Sequence, residues 1–177
     1  MSDAQEVFDG LSTKMRLHRD RIPEGAARYS LETIDDRQAL DALFTCYRGT
    51  PTQVECSMKN PFAFPMRISE VRRRLDEFEP ANRAAFERYV AAFNAVGDEP
   101  IEMVIPAYAL GKEGFLLLDG NHRATAAAIA GRPFRLTLAT LNGPVDRRIL
   151  KDLKFWDGGL KRFGRRLRRT LGAGAAS

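Results

Sequence analysis

Polar and apolar residues alternate through Tyr29-Ser30-Leu31-Glu32-Thr33-Ile34 and again through Phe134–Leu138. A period of two is that of a strand with one buried face, and both stretches are predicted as strands. Ile101–Ile105 reads as a third, with Pro106 expected to end it or push it to a sheet edge. Phe115-Leu116-Leu117-Leu118 is an unbroken apolar run, which suits a strand buried on both faces. Helical spacing appears elsewhere. Val7, Phe8, Leu11 and Met15 form a weak stripe over Ala4–Leu17. Asp35 or Asp36 is placed to cap a helix running through Ala39–Phe44. Ser69 is placed to cap Glu70–Phe78, and Pro80 breaks that helix and opens a second over Ala81–Ala95, ended by Gly97. In the second, Phe86, Tyr89, Val90 and Phe93 should face the core. Residues 49–66, with Gly49, Pro51, Pro61 and Pro65, read as loop. Lys112-Glu113-Gly114 reads as a turn, and Ala124–Ala130 as a small-residue helix stopped by Gly131, with Asn142-Gly143-Pro144 closing the unit.

Runs of strand and helix in this mixture predict an α+β domain with a small mixed sheet flanked by helices. Its expected extent is 28–144, preceded by a polar arm over 1–27 that lies outside the core and followed by a basic segment over 145–177. A hydrophobic content of 44% in 177 residues is enough for a core and excludes a disordered chain. No run of about 18 apolar residues is present, so no membrane-spanning helix is expected. The first twenty residues lack the apolar stretch of a signal peptide. Cys46 and Cys56 show no CxxC or Cys/His clustering and read as free thiols in a reducing cytoplasm. No ligand spacing supports a protein-held metal; Mg²⁺ held through bound phosphates remains open, because it needs few protein ligands.

The densest chemistry lies at Asp119-Gly120-Asn121-His122-Arg123, where a strand feeds a helix. Such a turn leaves backbone N–H groups free at the helix start, and they and the helix dipole favour an anion. Gly120 permits close approach of a ligand or a positive φ. Asn121 is suited to cap the helix or hold the turn. His122, one of two histidines, can donate to a phosphate oxygen or move a proton near neutral pH. Arg123 offers a planar fork matched to phosphate. Asp119 suits an Asx turn.

From Leu116 to Ala127, with Gly131 and the Phe134–Leu138 strand, the chain resembles the ParB/sulfiredoxin superfamily. There a strand ends in a Gly-x-x-Arg turn, often with His before the Arg, and an Ala-rich helix follows. The Pro100–Val104 segment and the helix before it keep the family's order. Asn60-Pro61-Phe62 resembles the Asn-Pro-aromatic segment of partition proteins. The resemblance covers residues 95–142 well and 29–94 loosely. It implies a ParB/sulfiredoxin-like fold and nucleotide phosphates held by Gly120, Asn121, His122 and Arg123, with Asp119, His122 and Arg123 as catalytic candidates. Partition proteins bind CTP and sulfiredoxins ATP; other members are ADP-dependent serine kinases, and some plasmid-encoded ones have ATPase and DNase activity. Two departures narrow the field. Asn121 stands where a sulfiredoxin has its cysteine, which argues against peroxiredoxin repair. Only about 35 residues follow the unit, too few for a partition protein's helix-turn-helix and dimerisation regions. A kinase would need an acidic base, for which Glu32, Glu55 and Asp119 are the candidates.

Charge is uneven along the chain. The net charge is +5, but residues 145–171 hold ten Lys or Arg against Asp146, Asp152 and Asp157, a local +7 that leaves −2 for the rest. Leu160, Phe163, Leu167 and Leu171 form a stripe, with Lys161, Arg162, Arg165, Arg166, Arg168 and Arg169 between them. This basic amphipathic helix suits DNA phosphates, an anionic membrane surface, a partner's groove, or packing on the body. Phe155 and Trp156 before it read as packing anchors. The leading expectation is a nucleotide-binding protein that hydrolyses ATP or CTP and acts on DNA through this segment. The alternatives are a small-molecule kinase of the same fold and a non-catalytic, partner-binding regulator.

Overall fold

The computed structural model describes residues 2–11, 15–56, 60, 62–97, 99–146 and 148–150. In chain order these form α1 (Asp3–Gly10), β1 (Arg28–Ile34), α2 (Arg37–Ala42), β2 (Phe44–Gly49), β3 (Phe64–Arg67), α3 (Ile68–Arg73), α4 (Pro80–Ala95), β4 (Ile101–Ala109), β5 (Phe115–Leu117), α5 (Asn121–Ala130) and β6 (Phe134–Asn142). The strands make one mixed sheet in the order β1-β6-β4-β5-β2-β3. Its longest pairing is the parallel pair β4 and β6, in register from Ile101 opposite Phe134 to Tyr108 opposite Leu141. This is the α+β arrangement of mixed sheet and flanking helices that the pattern predicts.

The period-two positions explain the two faces. On one, Ile105, Leu117, Leu136 and Leu138 pack against Leu40 and against Ala124, Ala127 and Ala128 of α5. Alanines let that helix sit close to the sheet. On the other face, Tyr108, Leu116, Leu118 and Leu141 are covered by Phe8, Leu17, Ile149 and Leu150. A third cluster, Tyr47, Met66, Val71, Phe78 and Phe86, fills the space under α3 and α4.

Several expectations are corrected. The N-terminal residues are not an arm outside the core: Phe8 is fully buried, and Leu17 pairs with Leu150 through an isolated bridge. The first helix stops at Gly10 rather than continuing to Leu17. Phe44 ends no helix but begins β2, and β3 takes up the last three residues of the proline-containing stretch read as loop, with Arg67 beyond it. They escape detection for different reasons. β2 is buried on nearly every residue and shows no alternation, and Pro65 in β3 sits on the outermost strand, where proline is tolerated. Ser69 caps nothing. Arg67 is the N-cap of α3, and Glu70 accepts its backbone N–H at 2.8 Å. In α4, Phe86 is buried as expected, while Tyr89, Val90 and Phe93 are half-buried.

Pro106 neither ends β4 nor moves it to an edge; β4 is central and runs three residues further. N–H and C=O of one strand residue point to the same side. The Pro106 carbonyl accepts from the Leu118 N–H at 2.9 Å, so its missing N–H also faces β5. β5 ends at Leu117. The proline therefore removes one bond at the end of a short ladder and breaks nothing within it.

Candidate functional site

The helix α5 begins earlier than the sequence pattern indicates, at Asn121 rather than Ala124, so Asn121-His122-Arg123 is its first turn. Gly120 is the N-cap, with φ +71. A Cβ there would lie 2.9–3.1 Å from three side-chain atoms of Ile105, itself fully buried. Only glycine satisfies both the left-handed backbone and the contact with β4. The first bond of the helix runs from Ala124 N to Gly120 O, 2.9 Å. The N–H groups of Asn121, His122 and Arg123 precede it, as the geometry of a helix start requires.

Each side chain of the motif has a distinct place. Asp119 is exposed and its Oδ1 accepts the Gly120 N–H at 2.7 Å, which closes the turn. Asn121 is not the cap. It is buried, and its Oδ1 accepts the Cys46 N–H of β2 at 2.9 Å, pinning the start of α5 to the sheet. His122 Nε2 lies 2.8 Å from Tyr47 Oη and 2.9 Å from Asn82 Oδ1. Its ring also packs against Phe86 and Tyr47, with centroids 5.0 and 5.9 Å away. Burial, and then the charge of Arg88, hold the His122 pKa below its ordinary value. Tyr47 is pushed up, chiefly by burial, so its phenol stays protonated. Arg123 is half-buried and makes no hydrogen bond or ion pair among the described residues.

These residues converge on a cleft of about 460 Å³ lined by Arg16, Cys46, Tyr47, Tyr89, Leu118 and Asp119–Arg123. That volume lies in the range of small-molecule sites. All five motif residues line it. Sequence reasoning missed the opposite walls: Arg16 from the N-terminal region, Cys46 and Tyr47 from β2, and Tyr89 from α4. It also missed Asn82, which reaches His122 from 40 residues away. No local pattern marks these positions, because their proximity is created by strand pairing. Among the acidic candidates, Asp119 alone lines the cleft. Glu32 lies on the edge strand β1, and Glu55 is bonded to Asn82. Among the described residues no group of three or more His, Cys, Asp or Glu could hold a metal ion, and no helix is long and apolar enough to cross a membrane. Lys161, Arg162, Arg165, Arg166, Arg168 and Arg169, with Phe155 and Trp156, lie outside the described residues.

The lowered pKa of His122 has a consequence for stability. The folded state prefers the neutral ring, so the unfolded chain binds more protons below the ordinary value of 6.5. Stability is full above that value and falls as pH drops toward the folded pKa. Thermal midpoints measured between neutral pH and about pH 5 should fall for the wild type. The fall should be shallower for His122→Gln, since the carboxylates common to both proteins contribute equally. Equal slopes would show that His122 titrates as an exposed group.

Comparison with protein-family models, with curated proteins and with solved structures gives no match to this chain.

Proposed function

We propose that the cleft binds the phosphate groups of a nucleotide, ATP or CTP with Mg²⁺ carried by the phosphates, and that the chain hydrolyses it while acting on DNA. The observation that carries this reading is Arg123. Its guanidinium lines the cleft beside the first turn of α5 without a partner among the described residues. A half-buried cation with no ion pair among the described residues favours an anion, and a helix N-terminus adds backbone donors for the same oxygens. Arg16 contributes a second positive group to the lining. The ParB/sulfiredoxin resemblance of residues 116–127 supports nucleotide over simple phosphate.

Roles follow from position. The N–H groups of Asn121, His122 and Arg123 receive phosphate oxygens. Arg123 stabilises charge as it develops on the transferred phosphoryl group. Asp119, with one carboxylate oxygen engaged in its own turn, has the other for a water or a phosphate-bound Mg²⁺. That same carboxylate supports a second reading, a small-molecule kinase in which Asp119 accepts the proton of a substrate hydroxyl.

Phosphate release from ATP and CTP, measured with and without duplex DNA, tests the reading. Arg123→Ala should lower turnover by at least about a hundredfold. Six tail cations contacting DNA should make affinity fall roughly a thousandfold between about 50 and 200 mM salt. Deleting residues 160–177 should abolish DNA binding and leave nucleotide turnover unchanged. Turnover that appears only with a hydroxyl acceptor would favour the kinase. DNA affinity that survives the deletion would remove the tail from the account.

A further inference from the structure

His122 is held by a chain of hydrogen bonds whose far end is charged. The Glu55 carboxylate accepts from the Asn82 side-chain amide through one oxygen and from the Glu79 backbone N–H through the other. Glu79 is the N-cap of α4, so Glu55 is fixed to the start of the helix that carries Asn82. Among the described residues Glu55 is the one non-glycine residue with positive φ, +54. A side-chain-bearing residue in that region is retained where surrounding contacts dictate it, and such positions cluster at functional sites.

The chemistry of each link fixes the next. A carboxylate only accepts, so Asn82 must turn its NH₂ toward Glu55. Its amide oxygen then faces His122 Nε2 at 2.9 Å. An amide oxygen also only accepts, so Nε2 must carry the proton. Rotating the amide would place oxygen against carboxylate at one end, an arrangement with no shared proton. The Tyr47 hydroxyl, 2.8 Å from the same nitrogen, meets that N–H through an oxygen lone pair. Nδ1 is then the bare nitrogen, and it has no partner among the described residues.

We propose that Glu55 and Asn82 are positioning residues that lock His122 as the Nε2–H tautomer, so that the ring meets its ligand as a hydrogen-bond acceptor through Nδ1. The ligand or its attacking water must then bring an O–H or N–H to this ring, while phosphate oxygens are left to Arg123 and the backbone donors. The ligand half of this statement rests on the cleft being the binding site; the tautomer does not.

The test is the nitrogen NMR spectrum of the imidazole rings in the full chain at neutral pH without nucleotide, with His18 as the internal comparison. The wild type should show His122 Nε2 in the protonated, pyrrole-type range and Nδ1 in the bare, pyridine-type range. Asn82→Ala and Glu55→Ala should move both signals partway toward each other, as the Nδ1–H tautomer gains the minor share it holds in an unrestrained histidine side chain. Tyr47→Phe should leave the tautomer unchanged. A wild-type spectrum with Nδ1 protonated, or with both nitrogens protonated, overturns the proposal whether or not any variant folds. So does an unchanged pattern in a folded Asn82→Ala protein. Neither result depends on nucleotide binding, so failure here is separable from failure of the proposed function.

Discussion

Replacing Gly120 with alanine should destabilise the protein by about 1–4.5 kcal/mol. Two penalties add. A left-handed backbone costs an L-residue about 1–2 kcal/mol, and Gly120 has φ +71. The new methyl would also press on Ile105 at 2.9–3.1 Å, from three of its atoms at once. Ile105 is fully buried among Leu117, Leu136, Leu138 and the alanines of α5, so it has little room to give. Overpacking of this kind costs about 1–3 kcal/mol. Lower entropy of the unfolded chain returns about 0.4–1 kcal/mol. For a chain of this size the sum lowers the thermal midpoint by roughly 5–15 °C. Ile105→Val in the same molecule removes one of the offending methyls, so the double variant should lose less than the two single losses combined. Strict additivity would show that the contact with Ile105 is not the cause, and a loss under about 1 kcal/mol would remove the steric argument altogether. The consequence reaches the site, because Gly120 sets how closely the first turn of α5 approaches the sheet.

Phe8→Ala should be as damaging, at about 3–5 kcal/mol. Phe8 is fully buried, edge-on to Tyr29 at 5.4 Å, with the Arg19 guanidinium 4.9 Å above its ring. Its cluster joins the N-terminal region to Tyr108, Leu116 and Leu141 of three different strands, and to Ile149 and Leu150. Val7, one residue away, is 37% exposed, and Val7→Ala should change stability by less than about 1 kcal/mol. Chemical denaturation of the pair decides between a docked segment and a loose arm: equal small losses would return residues 2–22 to the status of an appendage. The segment also brings Arg16 to the cleft. Loosening it should therefore weaken one wall of the site without touching the Gly120 turn.

The contrast between these residues indicates what a linear reading reaches. Strands β1, β4, β5 and β6 announce themselves by alternation or by an apolar run, and α4 and α5 by spacing and terminal glycines. Gly120, His122 and Arg123 stand out because strand, turn and helix signals meet at one place. The rest of the cleft is set by pairing across the chain. Tyr47 comes to His122 because β2 lies beside β5, yet β2 is too uniformly buried to show a period. Asn82 lies one turn before Phe86 on the inward face of α4, where the apolar stripe gives no sign of a polar partner for His122. Pro106 misleads because its cost depends on where the neighbouring strand ends, a fact not written in its own segment. The N-terminal residues look polar because one phenylalanine and one leucine carry most of their burial. Asn121 reads as a cap on local rules, but the N–H it satisfies belongs to Cys46, 75 residues away.

The central claim is that the first turn of α5 and Arg123 form a phosphate site. Isothermal titration calorimetry with ATP, ADP and CTP in the presence of Mg²⁺, on the wild-type chain and on Arg123→Ala, tests it most directly. A charge-assisted contact of about 1.5–3 kcal/mol corresponds to roughly a tenfold to hundredfold weaker Kd. The account predicts saturable binding of at least one nucleotide by the wild type and a loss of that size in a variant that unfolds at the wild-type temperature. Absence of binding by all three nucleotides, or equal affinity in Arg123→Ala, would contradict it.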